Sequence, residues 1–130
     1  MTQVLHFLYD DAYCGIGVAY DFGSGVERDP MKAMHYYELA AKAGSVRTRH
    51  NLGSMEGEKG NMDRALKHFM IAVEGGSSDS LKCIQDLYTD GYATKDDYMK
   101  ALQLYQTYLG EIKSKQRDEA AAEHENCRYY

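Results

Sequence analysis

Gly25-Val26-Glu27-Arg28-Asp29-Pro30-Met31-Lys32-Ala33-Met34-His35-Tyr36-Tyr37-Glu38-Leu39-Ala40-Ala41-Lys42-Ala43-Gly44 reads as one helix with both ends marked. Asp29 is an N-cap, because its carboxylate can accept from the free amide groups of the first turn. Pro30 falls at the first helical position, where its missing N–H costs nothing. Ala33, Tyr37, Ala40 and Ala41 then recur at i, i+4, i+7 and i+8, one apolar stripe of a 3.6-residue period. Gly44 stops the helix by taking the left-handed conformation that residues with a Cβ avoid.

The same pattern returns twice. With Ala33 as anchor, the equivalents are Ala65 and Ala101, at steps of 32 and 36 residues. Four residues before each anchor stands a capping residue, Asp29, Asn61 or Asp97, and four after stands an aromatic, Tyr37, Phe69 or Tyr105. A second series precedes the first: Ala12, Thr48 and Ser80 are small, and each is followed at i+4 by Ile16, Leu52 or Ile84. Gly17 and Gly53 come next, with Gln85 in the third unit; Tyr20 and Tyr88 stand at i+8, with Glu56 between them. A glycine on that face lets a neighbouring helix approach closely. Each unit is therefore a helix A and a helix B joined by a short loop, an αα-hairpin, and periods of this length mark repeat architectures.

The first unit, from Gly17-Val18-Ala19-Tyr20 through Gly23-Ser24-Gly25-Val26, Asp29, Lys32-Ala33, Tyr36-Tyr37, Ala40-Ala41 and Gly44, resembles a Sel1-like repeat, and more distantly a tetratricopeptide repeat. The second unit keeps Leu52-Gly53, Ala65, Phe69, Ala72 and Gly76 but shortens the loop; the third keeps Tyr88, Gly91, Lys100-Ala101 and Tyr105. The fold expected is all-α: a single domain over 1–130, an α-solenoid of three stacked helix-turn-helix repeats with a C-terminal capping helix. The units span about 9–44, 45–76 and 77–112, and residues 113–130 form the cap and tail, fraying toward Tyr130. Residues 1–10 read as a disordered lead or the remnant of an earlier unit. Helix A1 is expected from about Asp11 to Phe22, B1 from Pro30 to Ala43, A2 from Val46 to Glu58, B2 from Met62 to Glu74 and B3 from near Asp97. Ser77 or Ser78 caps A3. Ile112 stands where Gly44 and Gly76 end the earlier B helices, so B3 runs on.

Composition narrows the function classes. Fifteen basic residues against 20 acidic ones give 130 residues a net charge of −5, without the basic field that neutralises phosphates, so nucleic acid is not an expected partner. No apolar run approaches the roughly 20 residues of a membrane span, and Met1 to Asp11 lacks the basic start of a signal peptide. Cys14, Cys83 and Cys127 are few and far apart, which points to a reducing compartment. An intracellular, cytoplasmic chain without membrane insertion is the expectation.

Among candidate sites, Gly23-Ser24-Gly25 lacks the strand and the Lys-Ser/Thr of a phosphate loop and reads as a turn. His6, His35, His50, His68 and His124 form no HExxH motif, and a Cys14–His50 pair has no further ligands at matched offsets. The carboxylate clusters Asp10-Asp11, Asp96-Asp97 and Glu123-His124-Glu125 read as caps and solvated faces. No cofactor, metal or catalytic residue is expected. With Ala12, Ile16 and Tyr20 directed into the stack, the other side of the A helices is free: Arg47, His50, Asn51 and Ser54 in unit two, Lys82 and Asp86 in unit three. In helical-hairpin solenoids the repeats create an extended concave binding surface. The resemblance implies an adaptor or scaffold that binds a protein or peptide there. A C-terminal capping fragment of a longer solenoid is the alternative. A β-lactamase-like enzyme of the cysteine-rich Sel1 type would carry a disulfide in each repeat, and no unit here holds two cysteines.

Overall fold

Six helices follow one another: α1 (Thr2–Phe22), α2 (Pro30–Lys42), α3 (Val46–Glu58), α4 (Met62–Glu74), α5 (Ser78–Thr89) and α6 (Lys95–Cys127). This computed structural model describes the backbone of residues 2–127 and the side chains of residues 12–122; the expected fraying at Tyr130 lies outside the described residues. The helices pair as α1–α2, α3–α4 and α5–α6, and each hairpin stacks on the next through α2–α3 and α4–α5. No strand occurs among the described residues.

The helix ends follow from local chemistry. Asp29 accepts from the Lys32 amide at 3.2 Å, Ser45 from Thr48 at 3.1 Å and Ser77 from Ser80 at 3.1 Å. Gly44 and Gly76 close α2 and α4 at φ of 111° and 99°, where a side chain would add strain. Two expected caps behave differently. Asn61 stands before α4 without a side-chain capping bond, because its amide donates to Glu56 Oε2 at 2.8 Å. Asp97 is not a cap at all. It lies inside α6, where its amide donates to Thr94 Oγ1 and its carboxylate accepts from the Thr94 amide. This reciprocal pair starts the helix at Lys95, ahead of the expected position.

α1 also begins earlier than expected, at Thr2 rather than near Asp11. No glycine or proline stands between Met1 and Gly15 to end it. At the other end, α6 passes Ile112 without a break and reaches Cys127. Its residues 113–122 are exposed, as a run from Lys113 to Glu119 without a single apolar side chain requires.

Two apolar clusters make the core. Ala33, Tyr37, Ala41 and Leu52 join α2 to α3. Phe69, Val73, Ile84, Leu87, Ala93 and Ala101 tie α4, α5 and α6 together, along with Ala65. Leu52 and Ile84 are 1% and 0% exposed, each lying on the B helix of the hairpin before it. Ile16, expected to point into the stack with them, is 40% exposed, and Ala12 is exposed too. The register is the same, but no hairpin among the described residues lies on that side to cover it.

The glycines after Leu52 and Ile16 explain how tightly the hairpins close. A Cβ on Gly53 would sit 2.6 Å from the Phe69 ring, and one on Gly17 would sit 2.6 Å from Tyr37. Each ring packs directly against bare backbone. Tyr37 is fixed further by donating to Asp21 Oδ2 at 3.1 Å, and its phenol is pushed up to about 12 by burial and by the Asp21 carboxylate.

Candidate functional site

The residues assigned to the free face of the A helices divide once the chain is folded. Arg47 and Asn51 on α3, and Lys82 and Asp86 on α5, are exposed. Ser54 is half-buried in the same row. His50 is not a free side chain. Its Nδ1 lies 2.7 Å from the hydroxyl of Ser80, a fully buried residue, and its ring tilts against Phe69 with centroids 5.4 Å apart. His50 thus links α3 to the start of α5. It stands two residues beyond Thr48, and at that offset the side chain faces the following hairpin. The expectation that it stands clear of the core is corrected by this bond.

A second polar group escaped the sequence reading. At one register of each hairpin, helices A and B meet side chain to side chain. Unit one fills this seam with rings: Tyr36 stacks on Tyr20 at 5.8 Å and on Tyr13 at 6.4 Å. Unit three fills it with Leu81 and Leu104, both partly buried against the core, while Tyr88 stacks on Tyr98 at 5.5 Å. Unit two has Arg49, Glu56 and His68 at the positions of Tyr13, Tyr20 and Tyr36. Arg49 Nη1 donates to His68 Nδ1 at 3.4 Å, and Arg49 Nε is buried without a partner among the described residues. The signal was present in Glu56, the odd residue of its column, and comparing the columns on either side would have found its companions.

Burial, and then the Arg49 guanidinium, hold His68 below the usual histidine range, while Glu56 and Glu38 pull weakly the other way. The folded chain therefore prefers the neutral ring. As pH falls below about 6.5 the unfolded chain takes up this proton first, so the stability tied to neutral His68 is full above that pH and is lost as pH falls toward the folded-state value. Urea midpoints measured from about pH 7.5 down to about pH 5 should fall more steeply for the wild type than for His68→Gln. Parallel curves would show that another group carries the dependence.

Among the described residues, no three His, Cys, Asp or Glu side chains gather closely enough to hold a metal, and no helix is long and apolar enough to cross a membrane. The face is a row of exposed polar side chains on a rigid helical frame. It can form hydrogen bonds and ion pairs along an extended surface.

Comparison with known proteins agrees with this geometry. The chain is similar to the crystal structure of a Sel1 repeat protein from Oxalobacter formigenes, with 26% identity and a TM-score of 0.58 over 75% of this chain and 42% of that one. The chain thus spans less than half the length of that protein. No curated protein matches it at a significant level. The Sel1 repeat profile matches residues 10–45, 49–77 and 86–107, one stretch in each of the three hairpins and more than half of the sequence. The chain belongs to the Sel1 repeat family.

Proposed function

We propose that this chain is a protein–protein interaction module that holds a partner polypeptide along the A-helix face of its second and third hairpins. Sel1 repeats are commonly modules of this kind. The observation that carries the reading is the exposure of Arg47, Asn51, Lys82 and Asp86 on consecutive A helices. None of the four is needed by either apolar cluster, and both signs of charge stand among them. A partner segment with polar main-chain groups and acidic side chains suits Arg47, Asn51 and Lys82, while Asp86 supplies an acceptor. Ser54 lies in the same row and adds a hydroxyl. His50 contributes by fixing α3 against α5, which holds the two parts of the face in register.

The test combines a pull-down with melting curves. Arg47→Ala, Asn51→Ala and Lys82→Ala together should leave the melting temperature nearly unchanged, since exposed substitutions typically stay within about 0.5 kcal/mol each. Capture of the partner recovered by the wild type should weaken by more than about 1 kcal/mol, because binding energy concentrates in a few residues. Glu38→Ala and Lys67→Ala, exposed on the B helices α2 and α4, serve as controls. If the controls abolish capture and the triple variant does not, the partner lies on the B-helix side.

A further inference from the structure

The seam between hairpins uses one rule twice, and both ends of the array are left prepared to use it again. At the first seam, Leu52 packs with Tyr37 and Ala41 of the preceding B helix. At the second, Ile84 packs with Phe69 and Val73. In each case an aliphatic residue of helix A closes on an aromatic-plus-aliphatic stripe of the B helix before it. The third B helix carries the same stripe as Tyr105 and Leu109, and the first A helix carries the same aliphatic as Ile16. Both are open. Leu109 is 37% exposed, whereas Ala41 and Val73 at its register are 6% and 0%; Ile16 is 40% exposed, whereas Leu52 and Ile84 are 1% and 0%.

Nothing described in the chain covers either end. α6 does not turn back at Ile112, and residues 113–122 are exposed. The uncovered stripe and the uncovered aliphatic are therefore complementary halves of one seam, carried at opposite ends of one molecule. A capping repeat carries a polar outer face; the first and last described hairpins instead present Ile16 and Leu109, the apolar residues of an internal seam. The polar link of the second seam is dropped, since Lys82 replaces His50 and Ala12 replaces Ser80 at the ends. An alanine there also leaves room for the lysine stem to lie across it.

We propose that two copies of this chain bind head to tail, with the first hairpin of one copy stacking on the last hairpin of another and Ile16 closing on the Tyr105–Leu109 stripe. The contact is heterologous, because the two patches differ, so each copy in a pair retains one open end and further copies add to it. The contact leaves Arg47, Asn51, Ser54 and Asp86 of the A-helix face free, while Lys82, at the offset of His50, lies at its edge.

Sedimentation velocity over a range of concentrations tests this. The wild type should gain average mass as concentration rises. Ile16→Glu and Leu109→Glu should each weaken that association about tenfold or more, since each puts a charge into the apolar centre of the contact. The deciding arm is an equimolar mixture of the two variants. Each retains one intact end, so the mixture should form a heterodimer and stop there. A wild type that stays monomeric at every concentration, a single variant that associates as well as the wild type, or a mixture that stays monomeric overturns the proposal. Circular dichroism checks folding, and Ile16→Gln with Leu109→Gln, which add no charge, repeat the series if either glutamate lowers the melting temperature.

Discussion

Leu52→Ala should remove about 2–5 kcal/mol from the stability of the chain, the usual loss for a large-to-small change in a core that cannot collapse into the cavity. Leu52 is 1% exposed and, among the described residues, is the one fully buried helix-A side chain in the cluster that binds the first hairpin to the second. Its loss loosens the seam as well as opening a void. Ile16→Ala is the internal control. It occupies the same place in the repeat but is 40% exposed, and an exposed substitution of this type should cost no more than about 1 kcal/mol. Urea denaturation of both variants against the wild type gives the comparison. Equal losses would mean that burial of this position is set by the repeat pattern alone and not by the hairpin that precedes it.

Gly53→Val should cost about 1–3 kcal/mol by overpacking. An added Cβ lies 2.6 and 2.7 Å from two atoms of the Phe69 ring, and that ring is 5% exposed, in one core cluster with Val73, Ile84 and Ala101. The ring has nowhere to go without parting α3 from α4. Gly15→Ala provides the contrast. Nothing lies within 4 Å of a Cβ there, so removing a mid-helix glycine should be neutral or add about 0.5–1 kcal/mol. Thermal melts of the two variants should move in different directions. A stable Gly53→Val would show that the two helices do not meet at this glycine.

Partner capture and self-association depend on different surfaces, so the two tests can fail separately. The Arg47 and Asn51 substitutions lie on the side of α3, whereas Ile16 and Leu109 lie at the ends of the array; Lys82 borders both, so Arg47→Ala with Asn51→Ala is the arm that separates them. Loss of capture with mass gain intact supports the side face alone. Loss of mass gain with capture intact supports the end contact alone.

Much of this architecture is written locally. Asp29-Pro30, Ser45, Ser77, Gly44 and Gly76 punctuate helices through hydrogen bonds and backbone angles within a few residues of themselves, which is why α3 and α4 occur where periodicity put them. The spacing of Leu52 and Ile84 against Phe69 and Val73 specified the stacking direction for the same reason, since an i, i+4 stripe has only one face. What the sequence could not settle was which copies of a repeated position are covered. Ile16, Leu52 and Ile84 look alike in the chain, yet among the described residues a hairpin lies on the side they face only for Leu52 and Ile84. Likewise His50 reads as a free side chain until Ser80, 30 residues away, arrives within 2.7 Å, and Arg49 meets His68 only when α3 and α4 close. The sequence by itself determined the helices, most of their ends and the repeat, with the starts of α1 and α6 as the exceptions. Tertiary structure alone decided which side chains the stack consumes and which it leaves to others, because burial depends on neighbours that sequence periodicity cannot count.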